Sequence, residues 1–281
     1  KAGLDVKTFL GSICGFSDKT KKYICFNGFF KINYNQYIFL SFEVVLYFLL
    51  GIDDTDTPDA SDTAALALSL GENLESRSVA KLINISCHQL IQNPSVSATG
   101  QNVACCLHLD VENGKSREID LVCRETLLRE SYPGSNAGYA LAAWSQFDHE
   151  LVVWGKTAKM TVLSRQDALG LARRCGIYTA GILGSGAGVI GALAAIGLRF
   201  EGNDGWINWM PGINSLYGTF TQVQLAEYIH FDRIESQHHS RPAFDDRILF
   251  DHPVKPVLMD GKIVLPVSAV KGEKSHQWIA G

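Results

Sequence analysis

Seven apolar residues, Val44 to Leu50, run directly into Gly51-Ile52-Asp53-Asp54-Thr55-Asp56-Thr57. An apolar run of this length, bounded by a polar turn, reads as a buried strand. Its end delivers three carboxylates and two hydroxyls within five residues. Carboxylates this close repel one another and resist ionisation together unless a cation neutralises them. Oxygen donors alone suit a hard ion such as magnesium, which takes one or two carboxylates plus substrate phosphates. The chain is thus constrained to a fold in which a core strand opens onto a charged site. The other reading is an Asp-rich turn that caps the next helix, since Asp and Thr favour turns and N-caps.

With 281 residues the chain can form one large or two ordinary domains. Hydrophobic residues make up 46% and charged residues 19%, a globular balance. The net charge of −4 argues against a dominant nucleic-acid-binding face. Lys156, Lys159, Arg165, Arg173 and Arg174 make a modest local basic patch, so tRNA binding is expected to be weak and salt-sensitive at most. The cysteines are odd in number, seven, and no CxxC pair occurs. Neither a disulfide framework nor a zinc ribbon is indicated, and reduced cytoplasmic thiols are expected.

A first residue of Lys1 in place of Met reads as a fragment or a translated read. Residues 1–43 are rich in Phe, Tyr, Ile and Asn without a clean period, and are taken as an N-terminal extension of uncertain status. Tyr37 to Leu50 is short for a membrane span and carries Glu43. No small-residue cleavage site follows it, and no membrane association is expected. An α/β region is expected over 44–155 and a second over 156–281, with a weakly marked division at Gly155-Lys156. Nothing fixes the oligomeric state.

Asp62 or Ser61 can cap a helix through about Leu74, with Leu66, Leu70 and Leu74 on one face. Val79 to Cys87 reads as a strand. Over 102–111 the chain alternates, with Val103, Cys105, Leu107, Leu109 and Val111 facing one way. A helix is predicted from Ser116 to Arg129, a small-residue helix from Tyr139 to Phe147, and strands at Leu151–Trp154 and Met160–Leu163. Ser164 to Asp167 opens a further helix that stops at Gly176. Asp260-Gly261 between two apolar runs is a hairpin signal. Helices and strands alternate irregularly, which favours an α+β, mixed α/β fold.

Gly184, Gly186, Gly188 and Gly191 form a glycine-rich loop that runs into a helix of Val, Ile, Ala and Leu. Free N–H groups in such a turn are a ready anion cradle. Close helix packing explains the same glycines equally well. A dinucleotide fold is disfavoured: Tyr178 to Leu183 is a poor buried strand, and Glu201 comes too soon to be the ribose acid. No P-loop motif occurs. His88 closes a strand beside a Pro-containing loop and is a candidate acid, base or acceptor-orienting group. His238-His239 is a poor metal pair, because adjacent side chains diverge.

Several of these segments resemble a known family. Gly51 to Thr57 followed by Asp62-Thr63 resembles the N-terminal motif of the archaeal synthetase that makes agmatidine (agmatinylcytidine) at the wobble cytidine of an isoleucine tRNA. Gly188-Val-Ile-Gly-Ala-Leu-Ala-Ala-Ile-Gly197 resembles that family's second glycine-rich segment. Cys87 to Leu90, Ser131-Tyr-Pro-Gly134 and Thr161 to Leu169 are similar to a shorter bacterial-type branch lacking the OB-fold and zinc ribbon. The likeness runs from about Leu46 to Val267. It implies a kinase-like α/β domain beside a ferredoxin-like domain. In the synthetase the kinase domain phosphorylates the cytidine carbonyl oxygen, and agmatine displaces the phosphate. A threonine after the acidic motif is itself phosphorylated, and Thr63 stands at the matching place. The family's Cys-Thr-Thr is here Asp62-Thr63-Ala64.

The expected function is therefore Mg-ATP-dependent phosphoryl transfer to RNA or to a small nucleotide-like acceptor. Asp53, Asp54 and Asp56 would hold magnesium and Gly184, Gly186, Gly188 and Gly191 the ATP phosphates. Thr63 and His88 complete the candidate catalytic set. The alternative is a non-catalytic nucleotide- or metabolite-binding module of the same fold.

Overall fold

The computed structural model describes residues 28–33, 36–40, 46–55, 62–93, 102–112, 114–270 and 277–281. They form two units, Lys1–Val45 and Leu46–Gly281. In the first, strands β1 (Gly28–Asn33) and β2 (Gln36–Leu40) pair antiparallel.

The second unit is mixed α+β, with six α-helices and a large sheet among the described residues. Its strands are β3 (Leu46–Asp53), β4 (Ala80–Gln89), β5 (Val103–Val111), β6 (Gly138–Ala143), β7 (Tyr178–Gly181) and β8 (Trp206–Trp209). Then follow β9 (Gly218–Phe220), β10 (Arg233–Glu235), β11 (Ile248–Phe250), β12 (Val257–Met259), β13 (Lys262–Ala269) and β14 (Trp278–Ala280). The order is β7-β6-β3-β5-β4-β8-β12-β13-β14-β11-β9, with β10 beside β13. Helices α1 (Thr63–Ser76) and α2 (Ser116–Glu130) cover one face of the first five strands. Helices α3 (His149–Ala158), α4 (Arg165–Cys175) and α5 (Val189–Glu201) cover the other. Strands β8 to β14 and α6 (Gln222–Tyr228) enclose a third core around Phe250, Leu258 and Leu265.

The expected alternation is present. Leu50, Ile52, Cys105, Leu107 and Leu109 pack under α1 and α2. Leu49, Ala104 and Cys106 pack under α5. Helix α5 is apolar all round and sits between sheet and outer helices, as such a helix must. Asp260 and Gly261 both take positive φ, 53° and 70°, in a tight hairpin between Met259 and Lys262.

Three sequence expectations fail. Gly138–Ala143 is a central strand and not part of a small-residue helix. Ala140 and Ala142 are small because α5 packs on them, and this tertiary demand overrides helix propensity. Leu151–Trp154 lies in helix α3, capped by Asp148, which accepts from the Glu150 N–H at 2.8 Å. Leu151, Trp154, Gly155 and Ala158 recur at i, i+3, i+4 and i+7, all buried, so the helical period is present in the sequence. Met160 to Leu163 forms no strand. Gly155 and Lys156 lie inside α3.

Candidate active site

The last residues of β3 alternate between the two layers. Ile52 points to α1 and α2; Gly51 and Asp53 face α5. A Cβ on Gly51 would lie 2.1 Å from the Ala192 carbonyl oxygen, so the helix rests directly on the strand backbone. At Gly191 a Cβ would lie 1.9 Å from Asp53 Oδ2, and at Gly188 it would lie 2.4 Å from the Asp53 carbonyl oxygen. The acidic motif and the glycine-rich loop, 135 residues apart from Asp53 to Gly188, are therefore in contact. Asp53 is 8% exposed, and its carboxylate sits beside the first turn of α5. The positive end of that turn favours a negative charge there. Gly188, the cap residue, contributes no side-chain bond.

Asp54 follows with φ 54°, in the left-handed region that Asp tolerates better than most residues, and turns the chain away from the strand. Thr55 is buried, and its carbonyl accepts from the Tyr132 N–H at 3.0 Å. Its hydroxyl lies 3.1 Å from that of Thr63, which is 2% exposed in the first turn of α1. Asp62 is the N-cap and accepts from the Ala64 N–H at 3.0 Å. Asp56 lies outside the described residues. Among those described, no group of three or more His, Cys, Asp or Glu is gathered to hold a metal.

A segment outside the predicted site residues holds the glycine loop in place. Asn136 Oδ1 accepts from the Ser185 N–H at 3.0 Å and its hydroxyl at 2.9 Å. The Asn136 carbonyl accepts from the Gly188 N–H at 2.9 Å, and that of Ala137 from Ile182 N–H at 2.7 Å. Gly184 and Gly186 supply the positive φ values, 53° and 66°, that let the loop fold back on this segment. A signal for it exists: Ser131 to Gly138 is a polar Gly/Pro/Asn stretch, and a polar loop beside a charged strand end is a place where sites form.

His88 is on the same sheet face. It stands opposite Ala104, and Cys105 stands opposite Ile52. One more step of that register sets Asp53 level with Ala104, so His88 lies two strands, about 10 Å, from Asp53. The ring is wholly buried. Its Nδ1 meets Asp204 Oδ1 at 3.1 Å and its Nε2 meets the Ser86 hydroxyl at 3.0 Å. Asp204 in turn pairs with Lys159. Burial lowers the His88 pKa, and Asp204 opposes the shift. Neither partner belongs to the acidic motif or the glycine loop. His239 pairs with Glu235 at 2.5 Å. Of the expected basic patch, Lys156, Lys159 and Arg174 are tied to Glu201, Asp204 and Glu150.

No family model and no curated protein matches the chain. Among solved structures, it is similar to that of a complex of TiaS with its isoleucine tRNA and ATP, with 27% identity and TM-score 0.48, covering 54% of this chain and 36% of that one. Apo TiaS, the agmatidine synthetase of that tRNA, gives 25% identity and TM-score 0.46 over 54% and 35%. A tRNA fluorescent labeling enzyme gives 28% identity and TM-score 0.47 over 54% and 36%. The chain thus spans 36% or less of the length of these structures. TiaS, an agmatidine synthetase, is of the family whose motifs the sequence resembles.

Proposed function

We propose that the chain is a Mg-ATP-dependent phosphoryl-transfer enzyme acting on RNA or a small nucleotide-like acceptor. The observation that carries the reading is the meeting of Asp53 with Gly188 and Gly191 at the start of α5. Phosphoryl transfer asks little covalent chemistry of the protein. It needs positioned phosphates and neutralised charge. Asp53 and Asp54 offer oxygen donors only, a set that fits a hard divalent cation with one or two carboxylates. They would hold magnesium, with Asp56 as the third acid of the motif; the ion would neutralise phosphate charge. Gly184, Gly186, Gly188 and Gly191, which carry no side chains, would let phosphate oxygens approach the loop backbone and the positive end of α5. Thr63, one hydroxyl away from Thr55, would be the residue that takes a phosphate during the cycle. Buried His88 would act through Asp204 as a positioning group, not as a group touching the acceptor. A kinase-like α/β domain followed by a ferredoxin-like domain, and a cytoplasmic setting, belong to the same proposal. No helix among the described residues is long and apolar enough to cross a membrane.

Thermal unfolding with ATP and magnesium tests it. A ligand at about 100 times its Kd stabilises by about 2.7 kcal/mol. A clear upward shift with Mg-ATP, absent with ATP plus a chelator, is expected, together with ADP release when an acceptor is present. No shift at millimolar Mg-ATP sinks the proposal. Burial of both Thr63 and His88 favours one other reading, the non-catalytic nucleotide-binding module. Binding without ADP under any acceptor would select it.

A further inference from the structure

The opposite end of α5 carries a second group of side chains that the phosphoryl-transfer reading does not use. Five rings stand in sequence: Tyr47 to His108 at 5.3 Å, His108 to Trp144 at 5.1 Å, Trp144 to Phe200 at 5.6 Å and Phe200 to Phe147 at 5.4 Å. Three of them reach solvent: Tyr47 is 43%, Trp144 40% and Phe147 55% exposed. Single exposed aromatics are ordinary, but a contiguous set marks an interaction surface.

Beneath the rings lies Arg199, 6% exposed, its guanidinium 5.8 Å from the Trp144 ring centroid. No described carboxylate forms an ion pair with it. Its hydrogen bond to Asn84 Oδ1 is 3.5 Å, the outer limit of such a bond, and its Nε has no partner among the described residues. Both ring nitrogens of His108 are likewise buried without partners there. Local structure offsets part of this cost. Arg199 is in the last turn of α5, where the helix dipole gives a cation at most about 2 kcal/mol. The Trp144 face adds roughly as much when desolvated. Those terms act on the charge. They leave the donors of a five-donor group almost unused, and buried donors are nearly always used.

We infer that this end of α5 binds a nucleoside phosphate, its base stacked on an exposed ring of this set and its phosphate drawn by the unpaired Arg199 charge. Stacking on aromatic faces is tolerant of base identity, and a single cation gives only shallow salt dependence. A free nucleotide and a nucleotide within single-stranded RNA present the same chemistry. The inference goes beyond the reading of Asp53 and does not depend on it.

The test is a tryptophan-fluorescence titration without ATP or magnesium. One arm uses a mixed-sequence RNA strand of about ten nucleotides, within the usual site size; the other uses AMP. Saturable quenching is expected for wild type, with RNA affinity read by anisotropy weakened at least tenfold in Trp144→Ala/Phe147→Ala. Phe147→Ala alone, at the most exposed ring, should weaken RNA binding severalfold, as measured by RNA anisotropy. Asp53→Asn should bind as wild type does, which separates this surface from the phosphoryl-transfer site. AMP that competes with RNA assigns free nucleotide as a sufficient ligand. AMP that does not compete assigns the strand. No binding of either probe to wild type, or equal binding by both variants, overturns the inference. So does a concentration-dependent dimer that shields the rings and binds no RNA.

Discussion

The two ends of helix α5 solve opposite problems with opposite residues. Its N-terminal end meets the carboxylate of Asp53 across glycines, where any side chain would collide. Its C-terminal end holds the cation Arg199 beneath large rings. In each case the charge has the sign that the helix terminus favours. The difference lies in what surrounds it. Glycine leaves one end without side chains of its own, so that Asp53 packs directly on its backbone. Aromatics give the other a flat apolar face suited to a ring. One helix thus carries two chemically distinct surfaces, and the asymmetry can be attacked from either side.

The largest effect is expected at the closed end. Gly51→Ala forces a methyl to within 2.1 Å of the Ala192 carbonyl oxygen, a backbone atom that cannot swing aside. Overpacking of this kind costs roughly 3 kcal/mol or more in urea denaturation. Gly191→Ala meets the Asp53 side chain instead, which can rotate. It should cost less stability yet remove the Mg-ATP response. Equal losses from both changes would mean that the helix does not rest on the strand as described.

Next comes Asp53→Asn. It should fold and melt near wild type without ligand but lose the roughly 2 to 3 kcal/mol that near-saturating Mg-ATP adds. Loss of fold without ligand would make Asp53 a structural residue and dissolve the contrast between the two ends.

The rings predict a pH effect. Burial, and then the Arg199 charge, lower the His108 pKa from 6.5 to about 3. A folded value below the unfolded one means that the unfolded chain binds the proton first. Stability is therefore full above pH 6.5 and is lost as pH falls toward 3. At pH 5 the loss relative to full stability is about 2 kcal/mol, since each pH unit below the unfolded value counts about 1.4 kcal/mol. His108→Phe should flatten that slope, leaving a remainder from His88, whose pKa burial also lowers. An unchanged slope would show that His108 is solvated.

The smallest effect belongs to Thr63. Thr63→Ala forfeits one buried hydroxyl pair with Thr55, about 1 kcal/mol. Intact-mass measurement after incubation with Mg-ATP should find one added phosphate on wild type and none on the variant. An unmodified wild-type protein would leave Thr63 with a structural role only.

Much of this architecture is legible in the sequence alone. The alternation of 102–111, the Asp62 cap, the Ser164 to Gly176 helix and the Asp260-Gly261 hairpin follow from local rules, and each is found. Strand β6 is not legible, because its alanines are dictated by a helix 50 residues further on. Helix α3 is easily mistaken, because a short Leu-Val-Val run looks like a strand until its wider period is counted. In the candidate site, the acidic and glycine-rich motifs stand out in the sequence, but their partners do not. Asn136 holds the glycine loop through bonds spanning 49 residues, and the Asp204 partner of His88 is 116 residues away. The seclusion of His88 and Thr63 depends on which layers close over them, and no spacing in the chain records that.

Helix α5 has 13 residues, so its two ends stand about 20 Å apart. A mononucleotide cannot touch both. Occupancy at the two ends should therefore be thermodynamically additive for separate small ligands, each melting shift independent of the other. A strand long enough to reach from one end to the other escapes that rule. Its second contact is intramolecular, and the distance along the helix sets its effective concentration. With ligands at both proposed sites the helix would act as a molecular ruler, separating those that bridge its length from those that occupy only one end.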